Sequence, residues 1–588
     1  MTNNIHTIQQ QHLHIKINGV EADAWCLQNR LSEWCHTDLL FALEEIFNQY
    51  STLDIWSIDR LEIDAGTVAL NRLEQDLTVV VAEVVAKKLR EQILNHPSSI
   101  SITDNIRHKT IQQNLIENFI YFLNTGRLPW SVKLEKNKSF EKVLLDNWRD
   151  GIDNIHIGFI LDTLHSEIAR KRLVKQFSPL FMNYLLEKIS PDSKKIFIKI
   201  LPKFSNSSSS IKAFEQQLWE TVFYFIVTGK TITETAIIDT VWNTLDISEI
   251  QHLENELIKI CQNIESVNIS SSLILKLFNS EAARKKIAND FPLILKFDLL
   301  TQFSPETKKI VKTVLATLNH SNLPVDIIKS FEQQLWEIVF YFISTGKTVT
   351  EYAIINETWH SYSLKTADLE KFLIHHCSIA IDTIHSHAQN TVAKLPLITT
   401  HTSTNQQQNP ISTKLTVTAT DIKEGIYIEN AGLILLHPLL PRFFTALGIA
   451  EEDQLIKPER AICLLHFLTT GLLIAPEYEL TLAKLLCNIP LEMPVESDVN
   501  LTESEIEEAE ALLNAVIRHW DALRNTSIDG LRGEFLFRFG KLSMREDGDW
   551  LLQVENKTVD ILLNQLPWGI SMIKLPWMPK MLWVEWNY

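Results

Sequence analysis

The chain is short of glycine, of cysteine, of net positive charge and of long apolar runs, and each shortage removes a class of protein. Sixteen glycines in 588 residues are too few for a turn-rich all-β architecture and favour helices. The six cysteines, Cys26, Cys35, Cys261, Cys377, Cys463 and Cys487, stand far apart without C-x-x-C spacing. Most lie in apolar helical contexts, so they are expected as reduced core residues. Lys and Arg number 55 against 72 Asp and Glu, a net charge of −17. An anionic phosphate backbone would be repelled by that balance, and the basic residues are scattered, so nucleic acid is not an expected partner. No stretch approaches the roughly 18 apolar residues of a membrane span, and the opening MTNNIHTIQQQHLHIKING lacks both the basic start and the apolar core of an export signal. A soluble, non-secreted chain without membrane insertion is expected.

What is present is hydrophobic substance, 45% of the residues, on a chain longer than one core usually supports. The expected fold is mainly α with small α+β terminal units, multi-domain, with internally repeated helical modules in the middle. Residues 1–96 read as a β-α-β-α unit, with strands at 12–19 and 58–66 and helices at 22–50 and 70–94. A helical connector follows at 97–157.

The middle is duplicated. IKAFEQQLWETVFYFIVTGKTITETAI at 211–237 recurs as IKSFEQQLWEIVFYFISTGKTVTEYAI at 328–354, and SEIARKR from Ser166 recurs as SEAARKK from Ser280. Helical repeat 1 therefore covers 158–271 and helical repeat 2 covers 272–389. Fainter echoes stand at FIYFLNTGRLPW, Phe119 to Trp130, and LLHFLTTGLL, Leu464 to Leu473. Within each copy the long helix is apolar around most of its circumference and should be a buried centre, closed by Gly229 or Gly346 as a left-handed cap. Residues 390–420 lose helical period and fill with Thr, Ser, Gln, Asn and Pro, a polar linker. Residues 421–588 form a C-terminal α+β domain with a Trp-rich end.

Motifs that suggest chemistry fail on spacing. TGKT at Thr228 and Thr345 resembles part of a phosphate loop, yet the position requiring its first glycine holds Tyr224 or Tyr341, inside a helix. His375, His376, Cys377, His385 and His387 fit no closed zinc site, and the first copy keeps only Cys261. The run from Glu503 to Glu510 suits a helix start capped by Thr502 or Ser504. Arg518, His519, Asp521, Arg524, Asn525, Thr526, Ser527, Asp529 and Arg532 read as a helix exit and a new helix, with arginines pairing to buried carboxylates. No catalytic, cofactor-binding or metal-ligating residues are assigned, and no cofactor is expected. The remaining signal is LPWGISMIKLPWMPKMLWVEW at 566–586. It suits a strand pair that is either core or a partner-docking anchor carried by Trp568, Trp577, Trp583 and Trp586.

Taken in order, AGLILLHPLLPRFFTALG, PERAICLLHFLTTG, PEYELTLAKLLCNIP, AVIRHWDALRNTSIDGLRGEFLFRFGKL and the Trp-rich end resemble the motifs of contractile injection system tape measure proteins, found in extracellular phage-tail-like particles. HIKING followed by IDRLEIDAG is similar to the family's opening unit. The resemblance implies a non-enzymatic structural assembly role that sets the length of inner tube and sheath. It also implies inner tube, baseplate or hub, and tube-terminating proteins as partners. The implied location is the bacterial cytoplasm during assembly and then the particle itself. Repeats suit a ruler, since units can be added without disturbing either end. A compact assembly chaperone or adaptor, docking tube, baseplate or cargo components, is the alternative.

Overall fold

Helix formation follows from apolar residues at three- and four-residue spacing bounded by Ser or Thr caps and glycine stops. A computed structural model describes residues 6–17, 21–49, 54–69, 72–94, 106–135, 138–149, 152, 154–200, 209–263, 270–321, 323–377 and 425–586. The chain divides into two compact units, Met1–Phe181 together with Thr416–Tyr588, and Met182–Leu415. The polar linker expected at 390–420 lies outside the described residues.

At the N-terminus, α1 (Glu21–His36), α2 (Asp38–Gln49) and α3 (Leu73–Leu94) pack Leu27, Trp34, Leu43, Ile46, Leu77 and Val85 into one core. The Trp34 indole N–H donates to Thr78 Oγ1 at 2.7 Å. Three expectations are corrected here. Residues 12–17 take no regular secondary structure, and the second strand is displaced upstream, to β1 (Asp54–Ile58). Its antiparallel partner is β2 (Ile106–Thr110), with Asp54 opposite Thr110. Leu61 and Ile63 alternate as a strand would, but they use that alternation to pack half-buried against the helical core without a ladder partner. The long first helix is also interrupted, at Thr37.

After β2 come α4 (Ile111–Thr125) and α5 (Phe140–Asn147), and then the duplicated modules. Copy 1 comprises α6 (Asn154–Leu164), α7 (Glu167–Gln176), α8 (Pro179–Ile189), α9 (Pro191–Ile200), α10 (Ser209–Thr228), α11 (Glu234–Trp242) and α12 (Ile247–Asn263). Copy 2 repeats all seven as α13 (Ser271–Asn279), α14 (Glu281–Asp290), α15 (Leu293–Phe303), α16 (Pro305–Asn319), α17 (Val325–Thr345), α18 (Glu351–Ser361) and α19 (Ala367–Cys377). Small details repeat as well. Ser166 and Ser280 cap α7 and α14, and Thr233 and Thr350 cap α11 and α18. Arg170 donates to the carbonyls of Leu164 and His165 as Arg284 does to those of Phe278 and Asn279.

The long helices are the buried centres. Phe331, Leu335, Trp336, Val339 and Phe340 on α17 are buried, and Phe278 of α13 stacks on Phe340 with centroids 4.4 Å apart. Both long helices stop at a left-handed glycine, Gly229 at φ 67° and Gly346 at φ 66°. The next residue's N–H bonds back to Phe225 O or Phe342 O at 3.0 Å. Nothing lies within 4 Å of a Cβ built at either position, so backbone conformation alone calls for glycine.

The C-terminal domain holds a five-stranded sheet in the order β3 (Ile426–Ile428), β6 (Gly540–Met544), β7 (Trp550–Val554), β9 (Leu582–Glu585), β8 (Met572–Ile573). All its pairings are antiparallel except β7 with β9. A small hairpin of β4 (Ala450–Glu451) and β5 (Gln454–Leu455) stands apart. Helices α20 (Leu440–Ala446), α21 (Pro458–Thr470), α22 (Thr481–Leu486), α23 (Glu503–His519) and α24 (Ile528–Leu531) close over a continuous apolar core. FLFRF at 535–539 begins inside a wide helical turn, Arg532–Leu536, and the strand β6 starts only after it. No helix among the described residues is long and apolar enough to cross a membrane.

Candidate functional site

The terminal segment is held by its indoles. Trp577 is buried, donates to Leu486 O at 2.7 Å and lies 5.8 Å from the Phe444 ring. Trp586 is buried and donates to Asp560 Oδ2 at 3.0 Å. Half-buried Trp568 and Trp583 donate to Leu435 O at 3.0 Å and to Asp549 Oδ2 at 3.2 Å, and Arg545 sits over the Trp583 ring. Each indole thus satisfies its one donor, and Trp577 and Trp586 bury their apolar bodies as well. Asp560 also receives both terminal nitrogens of Arg538, at 2.8 and 3.2 Å, in a pair sealed from solvent. Such bidentate geometry is how a buried charge pair is tolerated.

The motifs read as structural are placed as follows. Thr502 caps α23 in a reciprocal box with Glu505. Hydrogen bonds from Arg460, reinforced by Thr502, hold the Glu505 carboxyl down to about 2 against the upward push of burial. Ser527 caps α24, and Arg524 pairs with Asp521 at the surface. Arg532 departs from the expectation of a buried carboxylate partner. Its guanidinium bonds Leu468 O at 3.1 Å and Phe467 O at 3.2 Å, the last-turn carbonyls of α21, because those acceptors face it in the fold.

Lys230 and Lys347 of the TGKT segments lie over the rings of Tyr224 and Tyr341, at 4.5 and 4.8 Å. Among the described residues no group of three or more His, Cys, Asp or Glu is placed to hold a metal; His385 and His387 lie outside them. Cys261, Cys463 and Cys487 are buried free thiols, and burial pushes Cys261 and Cys463 up to about 12.

The arrangement that sequence reasoning missed is the seat of α7 on the C-terminal domain. Arg172 and Glu477, 305 positions apart, are both 0% exposed and meet at 2.9 Å. Lys484, 2% exposed, contacts the other carboxylate oxygen. One carboxylate thus serves two cations, whose remaining donors go to carbonyls. Arg172 reaches Leu123 O and Glu492 O, and Lys484 reaches Leu491 O at 3.1 Å and Met493 O at 2.8 Å. Burial lowers the affinity of Lys484 for its proton, and Glu477 opposes that.

The next turn of α7 extends the contact. Lys175 pairs with Glu459 at 2.7 Å and Glu496 at 3.4 Å. Gln176 donates to Val495 O at 2.7 Å and accepts from the Glu477 N–H at 2.8 Å. Ser497 Oγ donates to Lys175 O at 3.0 Å. Gly126, the left-handed cap of α4 at φ 74°, lies over the cluster, and a Cβ there would fall 2.3 Å from Glu477 Oε1. Beside it the Tyr478 ring meets Phe122 edge to face at 6.1 Å.

Two of the fainter echoes, α4 and α21, therefore share a device. Each ends in a Thr-Gly cap, and an arginine, Arg172 or Arg532, bonds the carbonyl three residues before the glycine. A clue to the seat stood in the repeats. Arg172, Lys175 and Gln176 correspond to Lys286, Asn289 and Asp290 in copy 2, an unlike trio in otherwise similar helices. Nothing in the sequence pointed to Glu477 as their partner.

A family model described as "Contractile injection system tape measure protein" matches this chain over residues 5–252 and 203–586. The two matches overlap over residues 203–252, inside copy 1. No curated protein matches the chain, and no solved structure matches it.

Proposed function

Because the chain belongs to the contractile injection system tape measure family, a family of structural assembly proteins, we propose that it sets the length to which inner tube and sheath polymerise. The observation that carries the reading is the family match along almost the whole chain, with its overlap falling in a seven-helix module present twice. Length encoded in a chain has to be variable by whole units, and a duplicated module between two distinct ends is the form such variation takes. The two ends then face different partners, the baseplate or hub and the tube-terminating protein, with inner tube subunits between. The chain acts in the bacterial cytoplasm during assembly and stays in the finished particle, without nucleic acid. Trp568 and Trp583, the half-buried indoles, are the part of the terminal segment we propose for docking, over a base formed by Trp577 and Trp586. We also propose 1–96, 97–157, 158–271, 272–389, 390–420 and 421–588 as the domains and connecting segments of the chain, with the repeats in the middle as the part that varies.

Excision of residues 272–389 tests the reading. About 118 residues at about 1.5 Å each predict tubes shorter by up to roughly 180 Å if the chain is read as an extended helix. Duplicating the segment lengthens them by the same amount. Normal-length tubes from an incorporated deletion protein, seen by electron microscopy, favour the compact adaptor instead.

A further inference from the structure

The seat of α7 ties two points of the chain together that a ruler has to keep apart. Arg172 and Glu477 are separated by 305 positions, which as helix would be roughly 460 Å of contour. While they touch, everything between them is looped out and adds nothing to the distance between the chain's ends. Resting on the length-setting reading above, we infer that the Arg172–Glu477–Lys484 cluster is a latch. It holds the free chain closed and opens when the chain is drawn into the growing tube.

Three observations carry this. The contact is built largely from charged and hydrogen-bonded groups, Arg172, Lys175, Gln176, Glu459, Glu477 and Lys484. On opening, these groups recover water, so separation leaves less apolar surface bare than parting a hydrophobic core would. The contact is also selective. The equivalent helix α14 carries Lys286, Asn289 and Asp290, and Lys286 donates to Asn255 of the earlier helix α12 at 2.9 Å. The C-terminal domain can therefore recognise α7 and pass over its near-copy. Finally, Gly126 leaves room at the cluster that any side chain would fill, so the α4 cap is shaped for the closed state.

The full-length chain tests it through a zero-length carbodiimide cross-link between Lys175 and Glu459, which lie 2.7 Å apart and are both partly exposed. Lys171 and Glu167, paired within α7 itself, report that helix and reagent access. In the free protein both links should form. In purified particles the Lys175–Glu459 link should fall about tenfold or more while the Lys171–Glu167 link persists, as for a two-state contact whose open form has become dominant. Both links persisting in the incorporated chain overturns the latch alone; particles that lack the chain overturn the latch and the in-particle reading together. A second arm uses Arg172→Lys, Lys175→Asn and Gln176→Asp combined, residues with which α14 already folds. Normal-length particles from this variant support the latch. Short or absent particles from a soluble, folded variant overturn it, because the contact would then be needed in the finished assembly.

Discussion

Helices α7 and α14 follow one sequence pattern, share a Ser cap and share an arginine bonded to the carbonyls just before it, yet one is an interface and the other a module wall. The difference lies in the face pointing away from the shared core. On α7 it carries Arg172, whose donors are taken up by Glu477 and backbone carbonyls. On α14 the same place holds Lys286, partly exposed. Which long helix each packs on also differs. The α14 helix packs on α17, which follows it in the chain, whereas α7 packs on α4, which precedes it, with Phe177 meeting Phe119 at 5.4 Å. Duplication supplied the helix, and surroundings made one copy a docking element.

The contrast breaks most strongly at buried charge. Arg172→Ala leaves Glu477 with one cation in place of two and should destabilise its unit by about 3–5 kcal/mol. Lys286→Ala should stay within about 0.5 kcal/mol. Denaturant unfolding of the two variants measures both, and equal effects would mean that α7 and α14 do not differ as described. Loss of buried indole is expected to be as large. Trp586→Ala, which also strips a partner from Asp560, should remove about 3–5 kcal/mol, with half-buried Trp583→Ala clearly smaller.

The glycine caps sharpen the comparison at a lower level. Gly346→Ala meets only the left-handed conformation and should cost about 1–2 kcal/mol. Gly126→Ala adds a collision with the Glu477 carboxylate, so its effect should be larger, and Glu477→Ala in the same chain should reduce the difference. Thermal melts of the single and double variants decide this.

The smallest expected effect is with acid. Glu505 is held down to about 2 by Arg460, so its stabilisation is fully present above the ordinary carboxylate value of 4.5 and is lost as pH falls from there towards about 2. Glu505→Gln should flatten the stability of the C-terminal domain over that window. Asp246, at the start of α12, is also lowered, first by the backbone N–H of Glu249 that it accepts. It is fully exposed, so its removal should leave the acid limb almost unchanged.

Much of this molecule was legible from its residues because the signals are local. Helical periodicity, the Ser and Thr caps, the left-handed Gly229 and Gly346, the Thr502–Glu505 box and the duplication each depend on neighbours within a few positions or on self-similarity. Burial of Trp577 and Trp586 was legible only as one of two outcomes, since an apolar ring is equally suited to core and partner. The N-terminal strand lies upstream of its expected place for a related reason. Alternation at Ile58, Leu61 and Ile63 specifies a face, but a ladder needs a partner, and β2 at 106–110 pairs with 54–58.

The helical class, the module and its two copies, and the family to which they belong were readable from the chain, all properties written in short-range pattern. Only after folding does Arg172 meet Glu477 across 305 positions, does Arg532 bond backbone carbonyls with surface Asp529 as its carboxylate, and does one copy of a helix become an interface. The physical reason is that a charge's fate is set by what surrounds it after folding. No periodicity in the chain records which carboxylate, carbonyl or water will be there.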